Sequence, residues 1–276
     1  MIGIKMYLLS LKKYLINIFI LIALAIPQVN AIEDTLFFYN PESNINDFRT
    51  LKKLFDAYLV KDNLYKFQPF DNKDTFESFL QQDNVFLLSS WHYLNLRQQG
   101  YTNLQPVLVG TINGDTTYTK VLSTKKNIKN LNKLHKKRIA SAGDKNYTND
   151  VLQNMAQHSK VQFKVLTVPK DIDALMSVLF GMAQGALTAR HSLDTLLTLN
   201  PKKYQLLRQH AESTAIILPI VIVNKPIIKP SIKKLLMAIE NLSNSNSGKE
   251  ILGMLGWDGW QKIESLEMSQ LNLKVN

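Results

Sequence analysis

The feature that most constrains the fold is the alternation of short apolar runs with longer amphipathic runs. Thr35–Tyr39, Tyr65–Pro69 and Val85–Leu88 are apolar enough to form buried strands. Between them, a segment starting at Asn46 or Asp47 and ending near Leu59 places its apolar residues on one helical face, and Asp74–Gln81 predicts a shorter helix. Strands that alternate with helices in this way predict a parallel α/β sheet.

Two apolar segments divide the chain into two lobes. The alternation of strands and helices continues beyond Asn113-Gly114-Asp115, a turn signal. Thr116–Ser123 and Thr214–Val223 are predicted to be strands that leave the first lobe and return to it. The predicted fold is therefore a two-lobed α/β protein with two hinge strands and a central cleft. The predicted first lobe comprises residues 32–116 and 216–276, and the predicted second lobe comprises residues 117–215.

The N-terminal segment has the composition of an export signal. Lys5, Lys12 and Lys13 precede the apolar stretch Tyr14–Ile26, and Val29-Asn30-Ala31 places small residues where signal peptidase favours them. The apolar core of about 13 residues is shorter than the roughly 20 that span a bilayer. We therefore expect cleavage after residue 31 and release into the periplasm. The alternative is a retained membrane anchor.

The charge balance is positive, and the chain contains no cysteine. Removal of residues 1–31 would leave 30 lysines and arginines against 22 acids. Such a balance suits an acidic ligand, nucleic acid or an anionic membrane, although many basic proteins bind none of these. Lys125–Arg138 has apolar residues at a spacing of three, which predicts a short amphipathic helix with a solvated basic face. Because this segment lacks interleaved aromatic residues, we expect no nucleic-acid partner.

Lys137–Met155 predicts a short strand, a polar turn and the start of a helix. Gly143 is expected to give the turn its backbone freedom, and Asp144, Asn146 and Thr148 are residue types that cap helices. The N–H groups and partial positive charge at a helix start can hold an anion. This turn would also lie at the carboxyl end of its strand, where open α/β sheets bind ligands. The alternative is an ordinary turn that caps its own helix.

Other polar and aromatic residues are candidates for the wall of a cleft. Two serines at a predicted helix start could hold an anion or could be an N-cap, and the aromatic residues could instead pack in the core. Among the histidines, which more often lie on the surface or behind a site, the one in an arginine–histidine pair after a short strand is the best placed to face the cleft. These candidates are Tyr39, Ser89, Ser90, Trp91, Tyr93, Arg190 and His191. The sequence contains no metal-ligand spacing, nucleophile elbow, phosphate loop or dinucleotide fingerprint. We therefore expect the protein to have no enzymatic activity and to bind no metal or cofactor.

With these motifs identified, the sequence resembles periplasmic substrate-binding proteins of the phosphate/phosphonate ABC-transporter type, which have the type 2 periplasmic-binding fold. Five segments carry the resemblance: YTKVLSTKKNIKNLNKLHKKRIASAG, NYTNDVLQNM, DIDALMSVLFGMAQGALTA, TAIILPIVIVNKPI and ILGMLGWDGW. The resemblance implies a ligand enclosed by helix starts from both lobes and an inner-membrane ABC permease as partner. Together with Arg190 from the pair above, the predicted ligand-binding residues are Tyr39, Ser89, Ser90, Tyr93, Asp144, Asn146, Tyr147, Thr148 and Arg190.

The sequence departs from the phosphonate-binding pattern at three places. Lys145–Thr148 retains one hydroxyl where the family usually offers a Ser/Thr pair, Lys170-Asp171 stands where His-Asp is common, and Gln184 replaces an aspartate. The ligand class therefore stays open. Our first hypothesis is a periplasmic, monomeric protein that captures a small, phosphate- or phosphonate-like solute. The alternatives are a carrier of a hydrophobic ligand such as a lipid or sterol, and an exported sensor partner or enzyme.

Overall fold

The computed structural model describes most of the chain after the predicted export signal. The described residues are 34–42, 45, 47–59, 65–82, 84–156, 161–224 and 229–271. The predicted signal and its cleavage site, and the predicted helix cap Asn46, lie outside these ranges. Within them, no helix combines the length and apolarity needed to cross a bilayer.

The first part of the chain alternates strands and helices as predicted. The first strand pairs in parallel with the two strands that follow it in sequence. Asn72 and Ser89 cap their helices by accepting hydrogen bonds from backbone N–H groups of the first turn. The elements are β1 (Asp34–Tyr39), α1 (Phe48–Leu59), β2 (Tyr65–Pro69), α2 (Lys73–Glu77), β3 (Val85–Leu88), α3 (Ser90–Gln98) and β4 (Leu104–Thr111).

The middle of the chain forms a second sheet with its own helices. The lysine-rich segment predicted to be an amphipathic helix is instead a single 3-10 turn, Leu131–Leu134. Asn130 caps this turn, and Lys136, with φ of +57°, prevents its continuation. The elements are β5 (Thr117–Tyr118), β6 (Lys120–Lys125), β7 (Arg138–Ser141), α4 (Lys145–Met155), β8 (Lys164–Thr167), α5 (Asp171–Leu179), β9 (Gly185–Ala189), α6 (Arg190–Leu199), α7 (Pro201–Tyr204) and β10 (Leu207–Glu212).

The last part of the chain returns to the first sheet. The elements are β11 (Ile216–Ile217), β12 (Ile220–Asn224), α8 (Pro230–Glu240), α9 (Asn246–Leu255), β13 (Gly259–Lys262) and α10 (Ser265–Gln270). The first sheet has the strand order β13-β4-β12-β3-β1-β2, and the second has the order β10-β6-β9-β7-β8. The two sheets are mixed rather than wholly parallel, because β12 runs antiparallel to β3 and β4, and β6 runs antiparallel to β9 and β10.

The two crossing segments are broken rather than continuous strands. Thr116–Ser123 contains β5 and the start of β6, and Thr214–Val223 contains β11 and most of β12. Pro219 interrupts the second segment because it has no N–H group to donate to a sheet. Its carbonyl accepts a hydrogen bond from Gly110 N at 2.9 Å instead. Strands β5 and β11 pair with each other as a short antiparallel ladder between the two large sheets.

The hydrophobic cores of the two lobes differ in size. The first lobe, built on the six-stranded sheet, contains one large cluster rich in aromatic residues, in which Phe55 and Phe67 stack at 4.0 Å between ring centroids. The second lobe, built on the five-stranded sheet, has two smaller clusters. Val121 belongs to one and Leu122 to the other, as expected for adjacent strand residues that point to opposite faces.

Candidate ligand-binding cleft

A cavity of about 850 Å³ is lined by residues of both lobes. On the second lobe it lies at the carboxyl ends of β7, β8 and β9, where Ala142, Lys170 and Ala189 line it. On the first lobe it is bordered by the turn after β1 and by the end of α9. Carboxyl ends of strands that point toward a second lobe are a common location for ligand sites in α/β proteins.

An ion pair between a buried lysine and a partly buried aspartate forms part of the second-lobe wall. The side chain of Lys120, which is 4% exposed, places its Nζ 3.5 Å from Asp171 Oδ2. The same carboxylate oxygen accepts a hydrogen bond from Ala189 N at 2.5 Å. The other oxygen, Asp171 Oδ1, is buried and has no hydrogen-bond partner among the described residues. A buried carboxylate oxygen without a donor is costly, so this atom is available to a donor on a ligand.

Glu42 places a second carboxyl group, itself buried, in the same cavity. Burial raises its pKa from the ordinary 4.5 to about 7, although a hydrogen bond from Tyr118, the charge of Lys120 and the groups at the start of α3 partly oppose this. Tyr118 Oη donates to Glu42 Oε2 at 2.8 Å. Glu42 Oε1 is buried and has no partner among the described residues. The cavity therefore contains two carboxyl groups, each with one unsatisfied oxygen.

A tyrosine pair supports the Glu42 carboxyl group. The hydroxyl groups of Tyr118 and Tyr147 lie 2.8 Å apart. Burial, with the nearby Glu42 carboxyl, raises the pKa of both tyrosines well above the ordinary value, so both keep their protons at neutral pH. Since Tyr118 donates its only proton to Glu42, Tyr147 donates to Tyr118. The result is a chain of hydrogen bonds from α4 of the second lobe to the turn after β1 of the first.

His191 lies at the edge of the cavity, beside the ion pair. Removal from water lowers its pKa, Lys120 lowers it further, and Asp171 and Asp194 oppose the shift. The imidazole is therefore neutral at pH 7, and a neutral imidazole offers one donor and one acceptor to a ligand.

The first lobe contributes an apolar wall opposite these polar groups. Ile112, Leu218, Pro219, Met254 and Trp257 all line the cavity. Trp257 packs edge-on against Trp260 with 5.2 Å between ring centroids, which fixes its ring against the end of β13. The cavity therefore combines a polar wall from the second lobe with an apolar wall from the first.

Comparison with known protein families decides the class of this protein. A family described as "ABC transporter, phosphonate, periplasmic substrate-binding protein" matches residues 65–267. The chain belongs to this family. The suspected resemblance is therefore confirmed, and the protein is a periplasmic-type substrate-binding component of an ABC transporter rather than an enzyme. No curated protein sequence matches the chain.

Solved structures of substrate-binding proteins share the fold. PhnD1 from Prochlorococcus marinus in complex with methylphosphonate has 17% identity and a TM-score of 0.60, with 88% of this chain and 98% of that chain covered. A binding protein component of an ABC phosphonate transporter from Pseudomonas aeruginosa has 13% identity and a TM-score of 0.58, covering 87% and 85%. These similarities confirm the predicted two-lobed α/β fold.

Three of the predicted ligand-binding residues meet at a contact between the lobes. Tyr39 Oη donates to Asp144 Oδ2 at 3.4 Å, and Asp144 N donates to Pro41 O at 2.7 Å. Asp144 also caps α4 by accepting from Tyr147 N at 2.8 Å. Tyr39, Asp144 and Asn146 line a separate, smaller cavity of about 250 Å³. Burial, together with Asp144, raises the pKa of Tyr39, so its hydroxyl stays a donor.

The predicted residues around the start of α3 are buried behind the cleft. Ser89 accepts the hydrogen bond that caps α3, and its hydroxyl, near Glu42, lowers the pKa of that carboxyl. Ser90 Oγ donates to Ile217 O at 2.7 Å and so ties α3 to β11. Tyr93 is fully buried in the first-lobe core, and its hydroxyl has no partner among the described residues.

The remaining predicted residues belong to the second lobe. Tyr147 and Thr148 are fully buried, and Thr148 Oγ1 donates to Ser141 Oγ at 3.0 Å. Arg190 does not line the cavity; its guanidinium pairs with Glu212 and donates to Gln209 Oε1 at 2.7 Å. None of the nine predicted residues lines the 850 Å³ cavity, although Ser89 and Tyr147 contact or adjoin groups that do.

Sequence reasoning did not select Glu42, Lys120 and Asp171, three ionisable groups that line the cavity. They come from three separate segments, so no local spacing marks them as a set. One signal was available for Asp171, because Lys170-Asp171 stands where relatives often carry His-Asp. Another was available for His191, which follows Arg190 in the pair that was the best placed of the histidine positions to face the cleft. Among the described residues, no group of three metal-ligating side chains occurs.

Proposed function

We propose that this protein captures a small organic phosphonate that also carries an amino or hydroxyl group, and delivers it to an ABC permease in the inner membrane. The family and the methylphosphonate complex of a relative support the phosphonate group. The polar wall of the cavity supports the additional donor group.

The observation that carries this proposal is the pair of unsatisfied carboxylate oxygens in one cavity. Glu42 Oε1 and Asp171 Oδ1 are both buried without donors among the described residues. With a pKa of about 7, Glu42 is partly protonated at neutral pH and can donate to an anionic oxygen. A ligand with only anionic oxygens would nevertheless leave Asp171 Oδ1 without a donor and would add a negative charge beside it. A ligand that also carries an ammonium or hydroxyl group would satisfy Asp171 Oδ1, because both groups donate hydrogen bonds.

Lys120 and His191 are the groups that we assign to the phosphonate oxygens. The Lys120 ammonium is buried and directed at the cavity beside Asp171, and His191 can donate one N–H group. Charge-assisted hydrogen bonds to phosphonate oxygens are stronger than neutral ones. The ligand would then contact both members of the ion pair. Its anionic part would lie near Lys120, and its donor group would lie near Asp171.

Two of the residues predicted from the sequence stabilise groups of this cleft without lining it. Tyr147 holds Tyr118 against Glu42, and Ser89 faces the same carboxyl group. Direct contacts hold the lobes together, including the hydrogen bond from Trp91 Nε1 to Asp150 Oδ2 at 2.7 Å. We infer that ligand binding favours this closed arrangement and that the β5–β11 ladder is the hinge.

We also infer the maturation and organisation of the protein from its sequence. Cleavage after Ala31 would give a monomeric periplasmic form, residues 32–276, with no nucleic-acid partner. Residues 32–116 with 216–276 would be the first lobe, and residues 117–215 the second. Mass spectrometry of the exported protein would identify the N terminus, and a first residue other than Ile32 would contradict the cleavage.

Calorimetric titration with 2-aminoethylphosphonate, methylphosphonate and inorganic phosphate tests the proposed ligand class. We expect the aminophosphonate to bind at least about tenfold more tightly than the other two, since a hydrogen bond to a charged group contributes about 1.5–3 kcal/mol. Asp171→Asn should remove this preference, and Lys120→Met should weaken all three ligands. Lys126→Met, which changes an exposed lysine outside the cavity, is the matched control. Equal affinities in the wild type would contradict the role of the unsatisfied oxygens.

The apolar wall and the volume of the cavity favour one second candidate, a ligand with a long apolar part such as a lipid. The wall contributed by Met254 and Trp257 is larger than methylphosphonate needs. Lysophospholipid should then raise the midpoint of thermal unfolding while the phosphonates do not, because a ligand at about 100 times its Kd stabilises by roughly 2.7 kcal/mol. Trp257→Ala should abolish that rise, and Asp171→Asn should leave it unchanged.

A further inference from the structure

The end of the second lobe that faces away from the cleft carries a distinct surface. Strand β6 ends there at Lys125, because Lys120, at its other end, lies in the cleft. Strands β10 and β9 run antiparallel to β6, and β7 runs parallel to β9, so all three begin at this end. The segments that precede these strands therefore meet at one end of the sheet. We call this end, formed by the end of β6 and the segments before β7, β9 and β10, the far surface.

Exposed apolar side chains concentrate on the far surface. Among the described residues, eight large hydrophobic side chains are exposed, and five of them lie between the end of α5 and the start of β9 or between the last turn of α6 and the start of β10. Phe180 is 70% exposed, Leu199 77%, Leu206 57% and Met182 50%. The fifth is Leu197, in the last turn of α6. Apolar side chains clustered in this way indicate an interaction site rather than chance exposure.

Lysines are interleaved with these apolar side chains. Lys203 Nζ lies 6.0 Å from the centroid of the Phe180 ring, and Lys126 N donates to Leu206 O at 2.8 Å. The Lys125 side chain reaches the Phe180–Met182 turn, since its Nζ is 3.7 Å from where a Cβ on Gly181 would stand. These contacts place three lysines directly beside Phe180, the Phe180–Met182 turn and Leu206.

Positive charge is segregated to the same end of the lobe. Residues 125–138 contain seven lysines and arginines and no acid, and residues 195–211 contain three and no acid. The acids of the second lobe lie toward the cleft instead. They are Asp144 at the N-cap of α4 and Asp150 in its second turn, Asp171 and Asp173 in the first turn of α5, Asp194 in the second turn of α6, and Glu212 at the end of β10. The far surface is therefore basic without acidic side chains to neutralise it.

We propose that the far surface docks on an anionic phospholipid membrane. Lysines attract anionic headgroups while Phe, Leu and Met side chains enter the boundary between headgroups and acyl chains. A nucleic acid is less suited to this surface, because stacking of bases needs several aromatic side chains and Phe180 is the one exposed aromatic among the five apolar residues. Docking at this end leaves the cleft, at the opposite end of the sheet, accessible to ligand.

Sedimentation with protein-free vesicles tests this proposal on the exported, purified protein. Vesicles of phosphatidylcholine with phosphatidylglycerol at about one third should bind the protein, and phosphatidylcholine alone should not. The triple variant Lys126→Gln/Lys129→Gln/Lys133→Gln should reduce binding about a hundredfold, since each lysine near the surface is worth roughly fivefold. Phe180→Ser/Met182→Ser should reduce it more than about tenfold, because each side chain loses its apolar burial.

A matched set of changes on the first lobe controls for general effects of charge and hydrophobicity. Lys233→Gln/Lys234→Gln and Met237→Ser alter exposed residues of α8. They should change vesicle binding by less than about threefold, and circular dichroism should show that every variant is folded. Equal losses in the two lobes, or no binding of the wild type to anionic vesicles, would overturn the proposal. Binding to native inner-membrane vesicles but not to protein-free vesicles would also overturn it, because the partner would then be a membrane protein.

Discussion

The two lobes have different cores and, with the bounds predicted from the sequence, opposite charge. The predicted second lobe, residues 117–215, contains 16 lysines and arginines against 6 acids, whereas the predicted first lobe, residues 32–116 and 216–276, contains 14 against 16. The first lobe buries one large cluster with most of the buried aromatic side chains. The second lobe buries two small clusters on either side of its sheet, and Tyr147 is the fully buried aromatic residue in them.

This difference indicates that the two lobes contribute different features to the protein. The first lobe supplies the larger hydrophobic core and the apolar wall of the cleft. The second lobe supplies the ion pair of Lys120 and Asp171, His191 and the basic far surface. Glu42 is the exception, because it is a titratable group of the first lobe held by a tyrosine pair that ends on the second. The properties of the cleft therefore depend on both lobes, while the fold of each depends mainly on its own core.

The largest effect should come from the aromatic core of the first lobe. Phe55→Ala removes a ring that is 1% exposed and stacked on Phe67 at 4.0 Å, and should lower the free energy of unfolding by about 3–5 kcal/mol. Phe180→Ala, at a phenylalanine of the second lobe that is 70% exposed, should change it by less than about 1 kcal/mol. Urea unfolding followed by tryptophan fluorescence measures both. Similar losses would mean that the lobes do not differ in this way.

The second effect concerns pH and the carboxyl group of Glu42. Its pKa of about 7 in the folded protein is higher than the ordinary 4.5, so the folded state binds this proton more tightly than the unfolded state does. The resulting stabilisation is fully present below about pH 4.5 and is lost as the pH rises through 7. Glu42→Gln should therefore be more stable than the wild type at pH 8, by about 3 kcal/mol, and should match it at pH 4.

The difference between Glu42→Gln and wild type isolates this group from others that titrate. The lowered pKa of His191 acts in the opposite direction, because protonation of that imidazole on acidification favours unfolding. Both proteins share this contribution, so it cancels. Glu250→Gln alters an exposed carboxyl group of the same cavity and should keep the wild-type pH dependence. Parallel pH profiles of Glu42→Gln and wild type would contradict the buried position of Glu42.

Much of the fold could be predicted because it is encoded locally. The bounds predicted for β2 and β3 agree with the structure, since each is an apolar run between polar segments. Strand direction could not be predicted in the same way, because the antiparallel placement of β12 depends on contacts between distant segments. The break at Pro219 has a local cause, the missing N–H group. The prediction of one continuous strand gave more weight to the length of the apolar run than to this proline.

The site was less predictable than the fold, because its geometry also depends on contacts between distant segments. Ser89 and Asp144 cap helices as their residue types suggested. However, Tyr93 and Thr148 follow strand ends as ligand-binding residues often do, and both are buried. What orients Tyr147 is the hydroxyl of Tyr118, from a different segment. A pattern of residue types shows where a turn or cap lies but does not show which side chains a second lobe will cover.

Gly143 provides the smallest and most specific test of how the lobes differ. We expected it to supply backbone freedom, but it is not among the residues with positive φ. The structure gives another reason for a glycine: a Cβ at this position would lie 2.6 Å from Tyr147 Cδ1. Tyr147 cannot easily move, because Tyr118 holds its hydroxyl and its ring packs edge-on against Trp91 at 5.6 Å.

Gly143→Ala should therefore destabilise the protein by about 1–3 kcal/mol, as overpacking of a buried site does. Gly253→Ala is the matched change in the first lobe, in α9, where an added Cβ would meet nothing within 4 Å. It should stabilise the protein by about 0.5–1 kcal/mol, because alanine favours a helix over glycine. Urea unfolding of both variants gives the comparison. Stabilisation by both substitutions would show that Tyr147 is free to move, and the hydrogen-bond chain to Glu42 would then not fix the position of that carboxyl group.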